Sequence, residues 1–208
     1  MAGLTDLTGL AGLAVAAAAA CMSAPLSRRT RAACAILVAI LALVPLGDLP
    51  PAAYPRGAIG DPSVASVLLL LRFVLGRHFG WSSVDAREKL ALQVLIAAAA
   101  VALYPLALGI GPFDPYRPGF GSPWLIGALS LAALAAWGAR MPLVALCIAL
   151  AQLAWAFGWY ESGNLWDYLL DPLLSAWALG ALALRGARRL LRARAGAPTP
   201  GVQSRWNA

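Results

Sequence analysis

Residues 90–111 read LALQVLIAAAAVALYPLALGIG, an apolar run with no charged side chain. A helix needs about 20 apolar residues to cross the ~30 Å hydrocarbon core of a bilayer, so this run predicts a transmembrane helix. Residues 7–26 and 142–160 meet the same criterion. The sequence therefore predicts a helical membrane protein with several crossings.

The composition agrees with this interpretation. The 208 residues are 61% hydrophobic and 12% charged, and the mean hydropathy is +0.75. Soluble chains have about 45–50% apolar and about 25% charged residues. An ordinary soluble domain is therefore excluded, and so are the disordered, collagen-like and disulfide-rich classes.

Few side chains suited to a cofactor or a metal are present. The single histidine, His78, excludes bis-histidine haem, and the single lysine, Lys89, lies in a charged connection instead of a late helix that would hold retinal. Cys21, Cys34 and Cys147 lie apart in apolar runs and form neither a CxxC site nor a disulfide framework. We expect no cofactor and no metal site.

Apolar runs of suitable length predict an all-α fold, a polytopic transmembrane bundle with about seven crossings, or six if the weakest run does not cross. The runs are 7–26, 32–47, 62–80, 90–111, 123–138, 142–160 and 172–186. The weakest is 62–80, because Arg72 interrupts it. Residues 1–186 then form a transmembrane domain, and residues 187–208 form a basic cytosolic helix extension with a disordered tail.

Positive charges favour seven crossings over six. With seven, most basic residues share one side of the membrane: Arg28, Arg29, Arg31, Arg77, Arg87, Lys89, Arg140 and the arginines from Arg185 to Arg205. The positive-inside rule then places the N-terminus outside and the C-terminus in the cytoplasm. Fifteen arginines against one lysine, with abundant alanine, indicate a GC-rich bacterial genome. The expected location is therefore the bacterial inner (plasma) membrane.

Three helices share a start signal. Asp61-Pro62, Ser122-Pro123 and Asp171-Pro172 each place a capping residue before a proline at the first helical position. We therefore predict helices that begin at residues 62, 123 and 172, with their first turns on the outer side.

The predicted outer loops carry the candidate functional surface. Its charged members are Arg56, Asp114, Arg117, Glu161, Asp167 and Asp171. Such groups either hold a divalent ion together with a lipid phosphate, or cap helices and pair with one another. The segments 54–62 and 116–123 also share a tyrosine, an arginine, two glycines and a proline. This likeness indicates either a duplicated hairpin or the usual composition of short loops.

Residues 159–172, WYESGNLWDYLLDP, allow two structures. In the first, Ser162 or Asn164 caps a short interfacial helix and Asp171 starts the next helix. In the second, one helix continues from Leu165 with a kink at Pro172, which places Asp171 inside the bilayer. The Asp-Pro signal at residue 61 favours the first structure.

Three polar side chains lie within predicted spans. Arg72 either extends towards the cytoplasmic interface or pairs inside the bundle. Gln93 and Gln152 are expected to hydrogen-bond between helices.

The C-terminal arginines predict contact with lipid. Four of them recur at helical spacing: Arg185, Arg188, Arg189 and Arg192. They form a basic face towards anionic lipids of the inner leaflet, so the bilayer itself is an expected partner. The net charge of +7 thus reflects topology and lipid contact, and no nucleic-acid partner is expected.

Three functions from different classes fit these features. The leading hypothesis is a non-catalytic subunit or assembly factor that contacts another membrane protein through its outer loops. The second is a small transporter or lipid-handling protein that uses Arg72 and Asp171. The third is a membrane enzyme for a lipid-linked substrate, with Glu161, Asp167 or Asp114 as base or metal ligand and the two outer-loop arginines on phosphate.

Reporter fusions test the topology. A reporter joined after Arg31 should report a cytoplasmic location, because the basic first loop lies inside in the seven-crossing arrangement. A fusion after Glu161 should report the outside and serves as the control. An extracytoplasmic signal after Arg31 would contradict the predicted orientation.

Overall fold

A computed structural model of the chain describes the backbone of residues 4–195 and the side chains of residues 6–193. Within that range the protein is all-α, with nine helices and no strand, as predicted. The helices are α1 Leu4–Met22, α2 Arg28–Leu43, α3 Ala53–Ile59, α4 Val64–Phe79, α5 Ala86–Ala107, α6 Pro123–Gly138, α7 Pro142–Ala156, α8 Leu165–Leu169 and α9 Pro172–Ala195. A 3₁₀ turn covers Arg117–Gly119.

Each of the seven apolar runs overlaps one helix of 15 residues or more, and α3 and α8 are short additions between them. In the described residues, α5 is the one helix both long and apolar enough to cross a bilayer, with a hydropathy of 2.1. Three shorter apolar helices cover Asp6–Met22, Pro123–Gly138 and Pro142–Ala156. The seventh run and the basic extension form one unbroken helix, α9. The predicted disordered tail lies outside the described residues from 196 onwards.

Hydrogen bonds between helix ends show that the helices alternate in direction. The hydroxyl of Tyr160, just after α7, donates to the carbonyl of Pro62, just before α4, at 2.8 Å. Ser63, which caps α4, donates hydrogen bonds from its backbone N–H and its hydroxyl to Asp171, which precedes α9. Therefore α4 and α9 begin at the end of the molecule where α7 finishes.

Two ends of the bundle follow from this alternation. The acidic end carries Asp6, Asp61, Asp114, Glu161, Asp167 and Asp171. The basic end carries Arg28, Arg29, Arg31, Arg77, Lys89 and Arg140, and α9 runs towards it with its own arginines. Charge is thus segregated along the helix axes.

Small side chains let the helices approach closely. Helix α1 packs against α2 and α4, α6 against α7, and α5 against α9. Ala151 and Ala178 are fully buried, and Ala100 and Ala154 are nearly so. Alanines at such contacts bring helix backbones together without leaving voids.

Large apolar side chains point outwards from the middle of several helices. Ile36 in α2 is 63% exposed, Val101 in α5 is 60% exposed and Leu131 in α6 is 69% exposed. The outer faces of α2, α5 and α6 are therefore apolar at mid-helix.

Glu88 is a buried acid that the sequence did not single out. It lies in the first turn of α5, yet its Oε1 accepts from the backbone N–H of Leu143 at 2.6 Å and of Val144 at 3.3 Å. Those groups belong to the first turn of α7, whose own N-cap residue, Met141, supplies no side-chain bond. Glu88 therefore caps α7 from a neighbouring helix and fixes the basic ends of α5 and α7 together.

Replacement of Glu88 tests this cap. Glu88→Ala should lower the free energy of unfolding by about 1–3 kcal/mol, because it leaves two buried N–H groups without an acceptor. Glu88→Gln retains an acceptor oxygen and should recover most of the loss. Thermal unfolding in detergent, followed by circular dichroism, gives the comparison, and equal stability of Glu88→Ala and wild type would contradict the capping role.

Candidate functional site

Among the carboxylates of the acidic end, Asp171 accepts the most hydrogen bonds in the described part of the chain. It is 6% exposed, and its Oδ2 accepts from the backbone N–H of Ser63 at 3.0 Å and from the Ser63 hydroxyl at 2.7 Å. The Ser66 hydroxyl donates to the same oxygen. Its Oδ1 accepts from the N–H of Leu174 at 2.8 Å, which caps α9. The positive ends of the α4 and α9 dipoles thus share one buried negative charge.

This arrangement agrees with the first structure considered for residues 159–172. Helix α8 is short, Asn164 caps it by accepting from Trp166 N–H at 2.9 Å, and Leu170 is extended before α9 begins. The helix is more enclosed than an interfacial helix, because Leu165 and Tyr168 are buried against α7 and α4.

Arg56 joins three acids at the rim of the acidic end. Its Nε donates to Asp61 Oδ1 at 2.6 Å, its Nη1 donates to Asp6 Oδ1 at 2.6 Å, and Glu161 lies 3.6 Å from its Nη2. The hydrogen bonds to Asp61 and then Asp6 raise the pKa of Arg56 above its usual value. This cluster ties α1, α3 and the start of α4 to the loop after α7.

The predicted cap at Asp61 is wrong, and Ser122 lacks the predicted capping hydrogen bond. Asp61 does not cap α4, because its carboxylate is taken by Arg56 and the helix instead begins after Ser63, whose side chain accepts from Ser66 N–H. Ser122 precedes α6 as predicted, but its side chain makes no capping bond. Asp171 caps α9 as predicted.

Asp167 fastens the second outer loop. It accepts from the Tyr116 hydroxyl at 2.7 Å and from the Ser162 hydroxyl. Burial, and then this bond to a carboxylate, raise the pKa of Tyr116 above its usual value. Asn164 Nδ2 adds a bond to the Tyr116 carbonyl at 2.9 Å.

The remaining two members of the predicted surface lie on the outside. Asp114 and Arg117 are exposed, and Asp114 accepts from the N–H of Tyr116, two residues further on. Segments 54–62 and 116–123 also fold differently, since the first contains α3 and an engaged Arg56 and the second a 3₁₀ turn. The six predicted residues therefore form separate structural groups and do not converge on one point.

Asp61, Asp167 and Asp171 do share a cavity of about 320 Å³ at the acidic end. Three tyrosines face the same space: Tyr104, Tyr116 and Tyr160. A second, apolar cavity of about 540 Å³ runs along α5, α6 and α7. Leu170 lines both, so a chamber that contains the carboxylates and tyrosines adjoins an apolar groove.

The polar residues within the helices have different surroundings. Arg72 extends towards the basic end, where its Nη2 donates to the Ser82 carbonyl at 2.6 Å. Gln152 joins α7 to α6 by accepting from Ser130 at 3.0 Å, as expected. Gln93 differs from the prediction, because its buried Oε1 has no hydrogen-bond partner among the described residues.

Several contributors to the acidic end were absent from the sequence prediction, above all Ser63 and Ser66. Ser63 follows Asp61-Pro62 and is itself a good capping residue, so the local signal existed. Its bond to Asp171, more than a hundred residues away along the chain, carried no sequence signal.

In the described part of the chain, no three His, Cys, Asp or Glu side chains are grouped as a metal site. Comparison of the chain with protein-family models, with curated proteins and with solved structures finds no match.

The Asp171 network can be tested by one substitution. Asp171→Ala should cost about 2–4 kcal/mol of stability, because it removes the α9 cap and leaves buried serine and backbone donors unpaired. Asp114→Ala, at an exposed loop position, should change stability by less than about 0.5 kcal/mol. Denaturation curves of the two variants and wild type give the free energies of unfolding to compare. A small effect at Asp171 would show that the two helix ends are held by other contacts.

Proposed function

We propose that this chain is a multi-pass membrane protein with seven crossings, its acidic end outside and its basic end in the cytoplasm. The apolar outer faces of α2, α5 and α6 support this, because soluble monomers rarely expose contiguous apolar surface. The alternating helix directions and the segregated charges support the same orientation. Helices α2, α4 and α6 have 16 residues each and are about 24 Å long. Because this is shorter than the ~30 Å hydrocarbon core, the bilayer around them is locally thinner in this proposal. The arginine-rich composition supports a bacterial inner membrane.

The basic half of α9 is the contact with anionic inner-leaflet lipid in this proposal. Arg188, Arg189 and Arg192 are exposed, and Leu190 and Leu191 between them are 66% and 65% exposed. Leucines beside arginines suit a helix that lies at the headgroup boundary.

The leading function is a non-catalytic subunit or assembly factor that contacts a second membrane protein through its acidic end. The observation that carries it is an aromatic rim at that end. Its exposed members are Tyr54, Phe113, Phe120, Trp124, Phe157 and Trp159. Arg117 is exposed beside them, and aromatic residues with arginine are typical of the energetic centres of protein interfaces.

The rim is also held in a fixed shape. Arg56 joins α3 to α1, Asp167 joins the loop after α7 to Tyr116, and the Trp155 indole donates to the Gly163 carbonyl at 2.8 Å. A surface ordered before binding loses little conformational entropy on association. The hydrogen bonds and ion pairs within the loops therefore support a role for this end as a recognition surface.

A second candidate, a lipid-handling protein, is favoured by the chamber that adjoins the apolar groove. The hydroxyls of Tyr116 and Tyr160 already donate, to Asp167 and to the Pro62 carbonyl, whereas the carboxylates retain lone pairs. A bound head group would therefore need hydroxyl or ammonium donors, with its chain lying in the groove.

One purification distinguishes the two functions. The protein is extracted into native nanodiscs, and everything that remains bound is identified by mass spectrometry. The subunit function predicts a stoichiometric protein partner, and Phe120→Ser with Arg117→Ser should remove it. Phe79→Ser at the basic end, an equally accessible phenylalanine, is the control and should retain the partner.

A lone chain would contradict the subunit function, and a lipid bound in the apolar groove would favour lipid handling. In that case Ala132→Trp, which fills the groove, should displace the lipid, whereas Leu131→Trp on the exposed surface of α6 should not. Retention of a partner by the Phe120→Ser and Arg117→Ser variant would show that the rim is not the contact.

A further inference from the structure

The basic end contains a third cavity, of about 370 Å³, which the functions above do not use. Three cationic side chains line it: Arg72 and Arg77 from α4, and Lys89 from α5. No acidic side chain is among its lining residues. Its lining is cationic, whereas the chamber at the acidic end is lined by carboxylates.

Arg72 is held in place at the wall of this cavity. Its Nη2 donates to the Ser82 carbonyl at 2.6 Å, and its guanidinium lies 5.1 Å from the centre of the Trp81 ring. A Cβ at Gly76 would come within 2.5 Å of Arg72 Nη1, so the glycine leaves the room that this side chain occupies. The guanidinium therefore has a fixed position, with N–H groups still available to a ligand.

The neighbouring acids do not neutralise the three cations. Glu88 is taken up by the first turn of α7, and Asp85 accepts from Arg87 N–H as the cap of α5. Within the described residues, every ion pair is made by Arg56 at the other end of the molecule. Three positive charges around one cavity repel each other, and an anion between them offsets this repulsion.

We propose that this cavity binds a phosphate group, presented by a phospholipid of the cytoplasmic leaflet. Arginine and lysine donors suit phosphate oxygens, and the hydroxyls of Ser82 and Ser83 border the same space. The rest of the wall is apolar and includes Phe73 and Trp177, which suits the glycerol backbone and the first part of an acyl chain. The proposal rests on the membrane embedding proposed above.

The test uses the purified full-length protein in detergent and native mass spectrometry. Three probes are titrated separately: dioctanoyl phosphatidic acid, dioctanoylglycerol, which lacks the phosphate, and inorganic phosphate. Wild type should hold phosphatidic acid, and the double variant Arg77→Gln/Lys89→Gln should weaken this binding roughly tenfold or more. Both side chains are exposed, so the variant should fold. The control, Arg28→Gln/Arg29→Gln at the start of α2, changes two exposed arginines of the basic end that do not line the cavity. It should bind within about twofold of wild type.

Other results overturn the proposal. Equal binding of dioctanoylglycerol would exclude phosphate recognition, and equal, variant-sensitive binding of inorganic phosphate would make a free anion the ligand. An equal loss in the α2 control would show general attraction to the basic end. A protein that is monodisperse without detergent would contradict membrane embedding, whereas a detergent-dependent protein that does not bind phosphatidic acid would contradict this site alone.

Discussion

The acidic end of this molecule depends on the buried carboxylate of Asp171. The starts of α4 and α9 present unpaired N–H groups and partial positive charge, and one side chain satisfies both. Because α9 packs on α5 and α4 packs on α1 and α7, the position of these two helix starts fixes most of the bundle. A buried carboxylate is stable here because each oxygen accepts from donors that would otherwise be unpaired.

Local signals were sufficient to predict eight of the nine helices in the described residues, all except α3. The apolar runs located seven of them, and the pattern around Asn164 and Asp171 predicted the short α8 and the separate start of α9. These features depend on residues that lie close together along the chain. The prediction failed at Asp61 because two good capping residues lie within three positions, and the choice between them depends on Arg56, which the folded α3 brings close.

The partners of polar side chains inside the bundle could not be predicted in the same way. Gln152 and Gln93 have similar apolar surroundings in sequence, yet Ser130 faces the first and no partner faces the oxygen of the second. Glu88 occupies the third position after the α5 cap, which predicts a bond within its own helix, but it caps α7 instead. Which helix lies opposite a side chain is a property of packing, and a single sequence carries little information about it.

The two ends use their charges differently, and this contrast bears on function. At the acidic end, Asp61, Asp167 and Asp171 are committed to hydrogen bonds that hold the loops, so the proposed recognition of a partner is assigned to the exposed aromatic rim. At the basic end, Arg72, Arg77 and Lys89 surround a cavity without a paired acid in the described residues. Arginine that is fixed but not neutralised has already lost the freedom that ligand binding would otherwise cost. The proposed recognition surface on one side and the proposed phosphate cavity on the other together suit a protein that is held by lipid at its basic end while it presents its acidic end to a partner.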